Sequence, residues 1–178
     1  GRIAREAAAR LKGFGAKLAF FDAYAQVSKS EMEQCAVTRL DSLDALLAVS
    51  DIVSIHVPST PETKGFIHRA FFDKMKSTAI FINTARGDLV TEEDFFTALR
   101  DGIIAGAGID VYPVEPLPAD NPYITLPNVV LTPHIAAGTV DALRCKIQHA
   151  FANIDRFRNG EETRHSINKA QLPLDRRL

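Results

Sequence analysis

Short apolar segments alternate with helical segments along this chain, and the alternation constrains its fold more than any other feature. Apolar β candidates occupy residues 17–21, 52–57, 79–83, 105–111 and 129–131. Helical spacing is found at residues 2–11, at 43–47, from a capping-box pair at Thr91 and Asp94 to Arg100, and from Val140 to about Gly160. Strands joined through helices pair in parallel by right-handed crossovers. The pattern therefore predicts an α/β fold with an open, doubly wound parallel sheet.

Polar residues follow these strand candidates. They are Asp22, residues 56–58, residues 84–86, Asp110 and residues 133–134. In open parallel sheets, ligands bind outside the carboxyl ends of the strands. The sequence therefore predicts a small-molecule site along one edge of the sheet.

Charge and composition exclude several other classes of protein. Lys+Arg number 21 against Asp+Glu 22, so bulk charge would not hold the chain to nucleic acid or to a membrane. No apolar run approaches the roughly 18 residues of a membrane span, and residues 1–6 do not look like a signal peptide, so we expect a cytoplasmic protein. Cys35 and Cys145 lie far apart without metal-ligand spacing, which predicts free thiols and no metal site.

The first residues resemble half of a dinucleotide-binding motif. Gly1-Arg2-Ile3-Ala4 is similar to the end of G-x-G-x-x-G/A, where the helix N-terminus holds pyrophosphate. Asp22 closes the next strand about 20 residues later, where a carboxylate accepts hydrogen bonds from the adenosine ribose and repels a 2′-phosphate. We therefore expect NAD rather than NADP. Alternatively, Asp22 merely begins a turn.

A Rossmann-type unit has a central strand before this glycine, and the numbered chain has none there. We accordingly expect residues 1–160 to form an NAD-binding Rossmann domain that lacks its first strand. Residues 161–178 are expected to be a C-terminal tail that returns toward a second, substrate-binding domain, most of which lies outside the numbered chain.

A series of motifs then makes the sequence recognisable. They are Asp51-Ile-Val-Ser-Ile-His-Val-Pro58, residues 60–65 (TPETKG), residues 83–87 (NTARG), residues 107–111 (AGIDV) with Glu115-Pro116, and residues 126–129 (LPNV) with 132–135 (TPHI). In this order they strongly resemble the D-isomer-specific 2-hydroxyacid dehydrogenases, up to about Asn168. The combination is far more specific than any single motif.

The resemblance implies an NAD-dependent oxidoreductase that transfers a hydride between nicotinamide and a D-2-hydroxy acid, with Arg86, Glu115 and His134 as its catalytic set. Imidazole titrates near neutral pH, so His134 suits proton transfer in both directions. Glu115 would fix the ring tautomer and stabilise the imidazolium ion. Arg86 offers a planar fork that matches a substrate carboxylate and could polarise the adjacent carbonyl. Taken singly, each residue could instead belong to an ordinary surface loop.

The resemblance also implies the residues that contact NAD. The backbone amides of Arg2 and Ile3 would hold the pyrophosphate, Asp22 the adenosine ribose, and Val57 and Pro58 would flank adenine. Val57 and Pro58 also have a simpler role as the end of a buried strand.

At the other end of the cofactor, Thr63 would lie near the phosphates and ribose, and Thr84, Ala85 and Arg86 along the nicotinamide ribose. Asp110 would bind the carboxamide, and His134 would also contact the cofactor.

The motifs leave the substrate open among phosphoglycerate, hydroxypyruvate, glyoxylate, lactate and other acids, with a slight preference for the first two. A homodimer is expected from the resemblance. An alternative from another class is an NAD(H)-sensing regulatory protein that resembles the C-terminal-binding corepressors, which keep the same scaffold.

Overall fold

The computed structural model of the protein describes residues 1–165. The chain forms two compact units, Gly1–Ala136 and the residues from Ala137 onward. Helices and strands alternate in the first unit: α1 (Arg2–Lys12), β1 (Leu18–Phe20), α2 (Lys29–Cys35), β2 (Val37–Arg39), α3 (Leu43–Val49), β3 (Ile52–Ile55), α4 (Arg69–Phe72), β4 (Ile80–Asn83), α5 (Glu92–Arg100), β5 (Gly106–Ile109) and β6 (Val129–Leu131). The predicted α/β class is confirmed.

All the strands pair in parallel. The order β3-β4-β5-β6 forms one sheet of four strands, and β1 and β2 form a second sheet of two strands. Within residues 1–165, β1 and β3 share no backbone ladder. The parallel strands are therefore split into two sheets, with the break between β1, which ends at Phe20, and β3, which begins at Ile52.

An aromatic cluster packs under the larger sheet. The rings of Phe72 and Phe95 are stacked, with centroids 5.1 Å apart, and Phe81 meets both of them edge-on. All three side chains are buried. Helices α4 and α5 are thus attached to β4 by apolar packing, which is the main source of stability in such a layer.

The chain's local structure differs from the sequence-based predictions at two points. No helix is predicted in the polar stretch 23–34, but α2 begins within it, with a capping box in which Ser28 and Glu31 each bond the other's backbone N–H. The strand β2 follows it. A strand of three residues is too short for an alternating pattern to be visible.

The capping box expected at the start of α5 is also absent. Thr91 occupies the N-cap position without a side-chain cap bond, and its hydroxyl donates instead to the carbonyl of Gly65 at 3.4 Å. The carboxylate of Asp94 accepts a hydrogen bond from the backbone N–H of Arg69, at the first residue of α4. Thr91 and Asp94 have the spacing of a capping box, but both side chains bond groups outside α5.

The second unit contains α6 (Val140–Arg158), which agrees with the predicted long helix. Its N-cap is Thr139, whose side chain accepts from the N–H of Ala142. Both cysteines are free thiols, as expected. Of the tail expected at 161–178, residues 166–178 lie outside the described part. Among the described residues, no helix combines the length and the apolar character that crossing a membrane requires.

Candidate active site

The register of the four-stranded sheet places the predicted site residues side by side. Ile55 is paired with Asn83, Asn83 with Ile109, and Ile109 with Leu131. The loops that continue from these four positions therefore leave the sheet at one edge. All the polar residues predicted after β3, β4, β5 and β6 lie on those loops.

Glu115 and His134 meet across this edge. The Nδ1 atom of His134 lies 2.7 Å from Oε2 of Glu115. Glu115 is itself held by the backbone N–H of Tyr112, which donates to Oε1 at 3.0 Å. The hydrogen bond from His134 is the main cause that lowers the pKa of Glu115, and the Tyr112 amide and the charge of Arg86 add to it. Glu115 is therefore ionised at neutral pH, and Arg86 lies within electrostatic reach of the pair.

His134 has a backbone φ of +54°, in the left-handed region. Few residues other than glycine adopt this conformation, although histidine, asparagine and aspartate do so more often than most. Asp110 accepts hydrogen bonds from residues on both sides of His134, namely Thr132 and Ile135, and these bonds stabilise the conformation. Such a backbone geometry is concentrated at functional sites.

Asp110 organises the loop that carries His134. Its Oδ1 accepts hydrogen bonds from the hydroxyl of Thr132 at 2.6 Å and from the N–H of Ile135 at 2.9 Å, and its Oδ2 accepts from the N–H of Ala136 at 3.0 Å. Burial raises the pKa of Asp110, but these three hydrogen bonds outweigh that effect and the pKa is lowered. An ionised carboxylate thus ties the end of β5 to the loop after β6.

Arg86 is positioned by a buried asparagine. The side chain of Asn83 accepts from the N–H of Ala85 and donates to the carbonyl of Arg86, both at 3.0 Å. The loop from 84 to 86 is consequently folded around the Asn83 amide. The guanidinium of Arg86 is exposed and donates to the carbonyl of Ala85 at 2.6 Å.

Gly87 allows the Arg86 loop to lie against the Glu115 loop. A Cβ placed on Gly87 would lie 2.0 Å from the carbonyl carbon of Tyr112 and 2.4 Å from the nitrogen of Pro113. Both are backbone atoms that cannot move aside without shifting the loop. Only glycine permits this approach, which keeps Arg86 near Glu115.

Asp22 lies at the end of β1, as predicted. Its Oδ1 accepts from the backbone N–H groups of Tyr24 and Ala25, each at 2.9 Å. Asp22 therefore begins a turn, as the alternative interpretation of this residue predicts. The pKa of Asp22 is lowered, first by the Ala25 hydrogen bond, against the raising effect of partial burial.

The amino end of α1 lies near both Asp22 and His56. Burial is the main cause that lowers the pKa of His56. His56 also lies 3.0 Å from the hydroxyl of Ser54 through its Nε2. The predicted pyrophosphate and ribose residues are thus brought to one place.

Val57, Pro58 and Thr63 lie on the loop after β3. The hydroxyl of Thr63 donates to the carbonyl of Pro58 at 2.7 Å, which closes this loop. Ser59 donates to Oδ2 of Asp88 at 2.7 Å. That bond links the loop after β3 to the loop after β4, and so to Arg86.

Several residues that shape the site were not predicted from the sequence. They are Ser59, Asn83, Asp88, Tyr112 and Thr132. Asn83 alone gave a visible signal, because it ends a strand immediately before a polar turn. Ser59, Asp88 and Thr132 act through contacts between loops that are far apart in sequence. Tyr112 acts through its backbone N–H, which bonds Glu115 three residues later. Among the described residues, no group of three or more His, Cys, Asp or Glu side chains could hold a metal ion.

Comparison with known proteins assigns this arrangement to a family. Residues 1–136 match the sequence profile described as D-isomer specific 2-hydroxyacid dehydrogenase, NAD binding domain. The chain belongs to this family. Its first unit, Gly1–Ala136, coincides with the residues that match the NAD-binding domain of this family.

Individual relatives of this chain agree with the assignment. It is 40% identical over 176 residues to a glyoxylate reductase of Thermofilum pendens, covering 98% of this chain and 51% of that protein. It is 44% identical over 142 residues to a D-3-phosphoglycerate dehydrogenase of Archaeoglobus fulgidus, covering 80% of this chain and 26% of that protein. The chain thus spans about half the length, or less, of these relatives.

The fold of this chain also has solved counterparts. The NAD-complexed form of a D-isomer specific 2-hydroxyacid dehydrogenase from Lactobacillus delbrueckii ssp. bulgaricus superposes with a TM-score of 0.81 at 31% identity, covering 92% of this chain and 52% of that one. The family profile matched by residues 1–136 is that of an NAD-binding domain, and this solved relative holds NAD. The Rossmann-type fold expected from the motifs is confirmed.

Proposed function

We propose that the protein is an NAD-dependent D-2-hydroxyacid dehydrogenase, which interconverts a D-2-hydroxy acid and the corresponding 2-keto acid. The observation that carries the proposal is the 2.7 Å contact between His134 and Glu115, with Arg86 near enough for its charge to lower the pKa of Glu115. An acid/base group with an orienting carboxylate, beside a cation that suits a carboxylate substrate, is what this reaction needs.

We assign the proton transfer to His134. Its Nδ1 faces Glu115, which leaves Nε2 as the ring nitrogen for the substrate oxygen. In the direction of reduction, Nε2–H donates its proton to the carbonyl oxygen. In oxidation, Nε2 accepts the hydroxyl proton. Glu115 stays ionised and stabilises the imidazolium ion of His134. This ion is present before the proton is donated in reduction and after the proton is accepted in oxidation.

We assign substrate orientation to Arg86. Its guanidinium is exposed at the site, and a planar pair of N–H donors binds a carboxylate through two parallel hydrogen bonds. Holding the carboxylate fixes the reacting carbon beside it. NAD, when bound, would supply the hydride-transfer chemistry at that carbon.

The residues present fit NAD at the positions the family motifs imply. The N-terminus of α1, with no acidic residue in its first turn, would hold the pyrophosphate through the amides of Arg2 and Ile3. Asp22 would bind the adenosine ribose. Val57 and Pro58 would flank adenine.

Thr63 and the stretch Thr84-Ala85-Arg86 would lie along the phosphates and the nicotinamide ribose. Asp110 would receive the carboxamide. Both lone pairs of its Oδ1 are used by Thr132 and Ile135, whereas Oδ2 accepts one bond, from Ala136. A further N–H donor would therefore bind at Oδ2.

For the substrate, we favour glyoxylate, hydroxypyruvate or 3-phosphohydroxypyruvate, because relatives are named glyoxylate reductase, hydroxypyruvate reductase and D-3-phosphoglycerate dehydrogenase. The test is oxidation of NADH by the intact protein, followed by absorbance, with these three acids and pyruvate as a panel. Turnover with one of them supports the proposal and identifies the acid. NADH binding without turnover across the panel would favour the NAD-sensing alternative and would contradict the assigned reaction.

A further inference from the structure

We propose that Arg39 is a positioning residue for the adenosine end of the cofactor: it holds the loop 22–25 in the shape that presents Asp22 to the ribose, and so sets the preference for NAD over NADP. The inference rests on the proposed role of Asp22. It concerns a residue on a neighbouring strand that none of the family motifs above includes.

The loop 22–25 is closed on its N–H side by Asp22 itself. Both backbone donors, those of Tyr24 and Ala25, bond the same oxygen, Oδ1, at 2.9 Å each. Within residues 1–165, no donor contacts the second oxygen, Oδ2. One of the two carboxylate oxygens is thus bonded to its own loop. The direction in which the other oxygen, Oδ2, points depends on the shape of that loop.

Arg39 closes the same loop on its carbonyl side. Its Nη1 donates to the carbonyl of Ala25 and its Nη2 to the carbonyl of Asp22, both at 2.9 Å. One guanidinium therefore bridges the first and last residues of the loop. Two parallel donors in a fixed plane are specific to arginine, because the single ammonium of lysine cannot hold the same geometry.

Arg39 is itself well placed to act as a fixed support. It lies on β2, where it is paired with Phe20 of β1, and its guanidinium carbon is 5.9 Å from the centroid of the Phe20 ring. The N–H of Leu40 donates to the carbonyl of Phe20 at 2.9 Å and continues the pairing of the two strands. The sheet thus holds the guanidinium beside the loop.

The charge of Arg39 acts in the same direction, since it contributes to keeping Asp22 ionised. An ionised carboxylate both accepts from the ribose hydroxyls and repels a 2′-phosphate. If the loop loses its carbonyl support, Oδ2 is no longer held at the ribose and both effects weaken.

The test compares Arg39→Lys and Arg39→Gln with the unmodified intact protein by fluorescence titration of NADH and NADPH. Arg100→Gln is a matched control, because its guanidinium also lies over an aromatic ring, Phe96 at 5.6 Å, but pairs with the carboxylate of Asp101. Since two hydrogen bonds are lost, we expect either Arg39 variant to weaken NADH binding about tenfold. The ratio of the NADPH to the NADH dissociation constant should fall by about the same factor, with kcat at saturating NADH unchanged.

Arg39→Lys keeps the charge and loses the bridge, so it separates positioning from electrostatics. A lysine variant with unmodified NADH affinity would overturn the inference, and so would an unchanged NADPH to NADH ratio in both variants. Asp22→Ala distinguishes failure of the inference about Arg39 from failure of the proposed role of Asp22. If it weakens NADH binding while the Arg39 variants do not, only the inference fails; if it has no effect, the proposed role of Asp22 fails as well. Should Arg39→Gln fail to fold, Arg39→Lys provides the decision alone.

Discussion

The side chains of Glu115 and His134, whose Oε2 and Nδ1 atoms lie 2.7 Å apart, join two loops that leave different strands of the sheet. Glu115 follows β5 and His134 follows β6. The pairing of these strands therefore sets the distance between the two residues. Because Nδ1 is engaged by the carboxylate, the acid/base proton of the proposed reaction is carried by Nε2.

Replacing His134 by asparagine tests the proton-transfer role without disturbing the backbone. Asparagine tolerates a positive φ, so the loop should keep its conformation, but it cannot exchange a proton at neutral pH. We expect turnover of the 2-keto acid to fall by at least about a hundredfold while NADH affinity stays within about threefold. Steady-state kinetics and NADH titration measure the two effects.

His68→Asn is the matched control, because His68 is exposed at the N-cap of α4 and makes no side-chain cap bond. Its turnover should equal that of the unmodified protein. If His134→Asn retained full turnover, another group would be the acid.

Asp22 can be tested by separating its charge from its hydrogen bonds. Asp22→Asn keeps an oxygen that accepts from Tyr24 and Ala25, whereas Asp22→Ala loses both the bonds and the charge. We expect the two variants to bind NADPH more tightly than the unmodified protein, because the repulsion of the 2′-phosphate is lost. Alanine should also weaken NADH binding further than asparagine does. Dissociation constants that keep the original preference in both variants would contradict the ribose assignment.

Asp110 predicts a pH dependence of stability. Its pKa is lowered in the folded protein, so it contributes stability that is fully present above the ordinary aspartate pKa of about 3.9 and is lost as the pH falls through the folded value. Asp110→Asn has no such group. The free energy of unfolding in urea, measured from pH 7 to pH 3, should therefore differ most between the two proteins at neutral pH and converge in acid. A difference that stays constant with pH would refute this account.

Phe72 tests the aromatic cluster as the stabilising core of the sheet. The side chain is fully buried and stacked on Phe95. Phe72→Ala should lower the free energy of unfolding by about 3–5 kcal/mol through lost burial and the cavity that remains. Phe14→Ala is the control, since Phe14 is 86% exposed and its removal should change stability by less than about 0.5 kcal/mol. Equal effects in the two variants would show that the cluster is not the core.

The sequence was sufficient for the parts of the fold with a strong period or a distinct motif. The strands ending at Ile55, Asn83, Ile109 and Leu131 were all anticipated, because each is an apolar run stopped by polar residues. The helix α2 was missed although its Ser28 and Glu31 carry the spacing of a capping box. Too few apolar residues surrounded that cap for a helical face to be visible.

For the candidate site, the motifs predicted which residues are involved but not how they are held. Glu115 and His134 were expected to pair, and they do. The bonds of Asp110 to the loop after β6 and of Ser59 to Asp88 could not be foreseen, since they join loops separated by more than twenty residues. Such contacts depend on strand register and loop shape, which local patterns do not encode.

The close approach of Gly87 to Tyr112 has a consequence for how substrate preference can change in this scaffold. Backbone meets backbone there, so any side chain at position 87 would clash with Tyr112 and displace the loop of Glu115 from the loop of Arg86. The spacing of the two proposed catalytic residues is in this sense inherited with the main chain. Variants with a new substrate range must therefore be sought at positions other than 87.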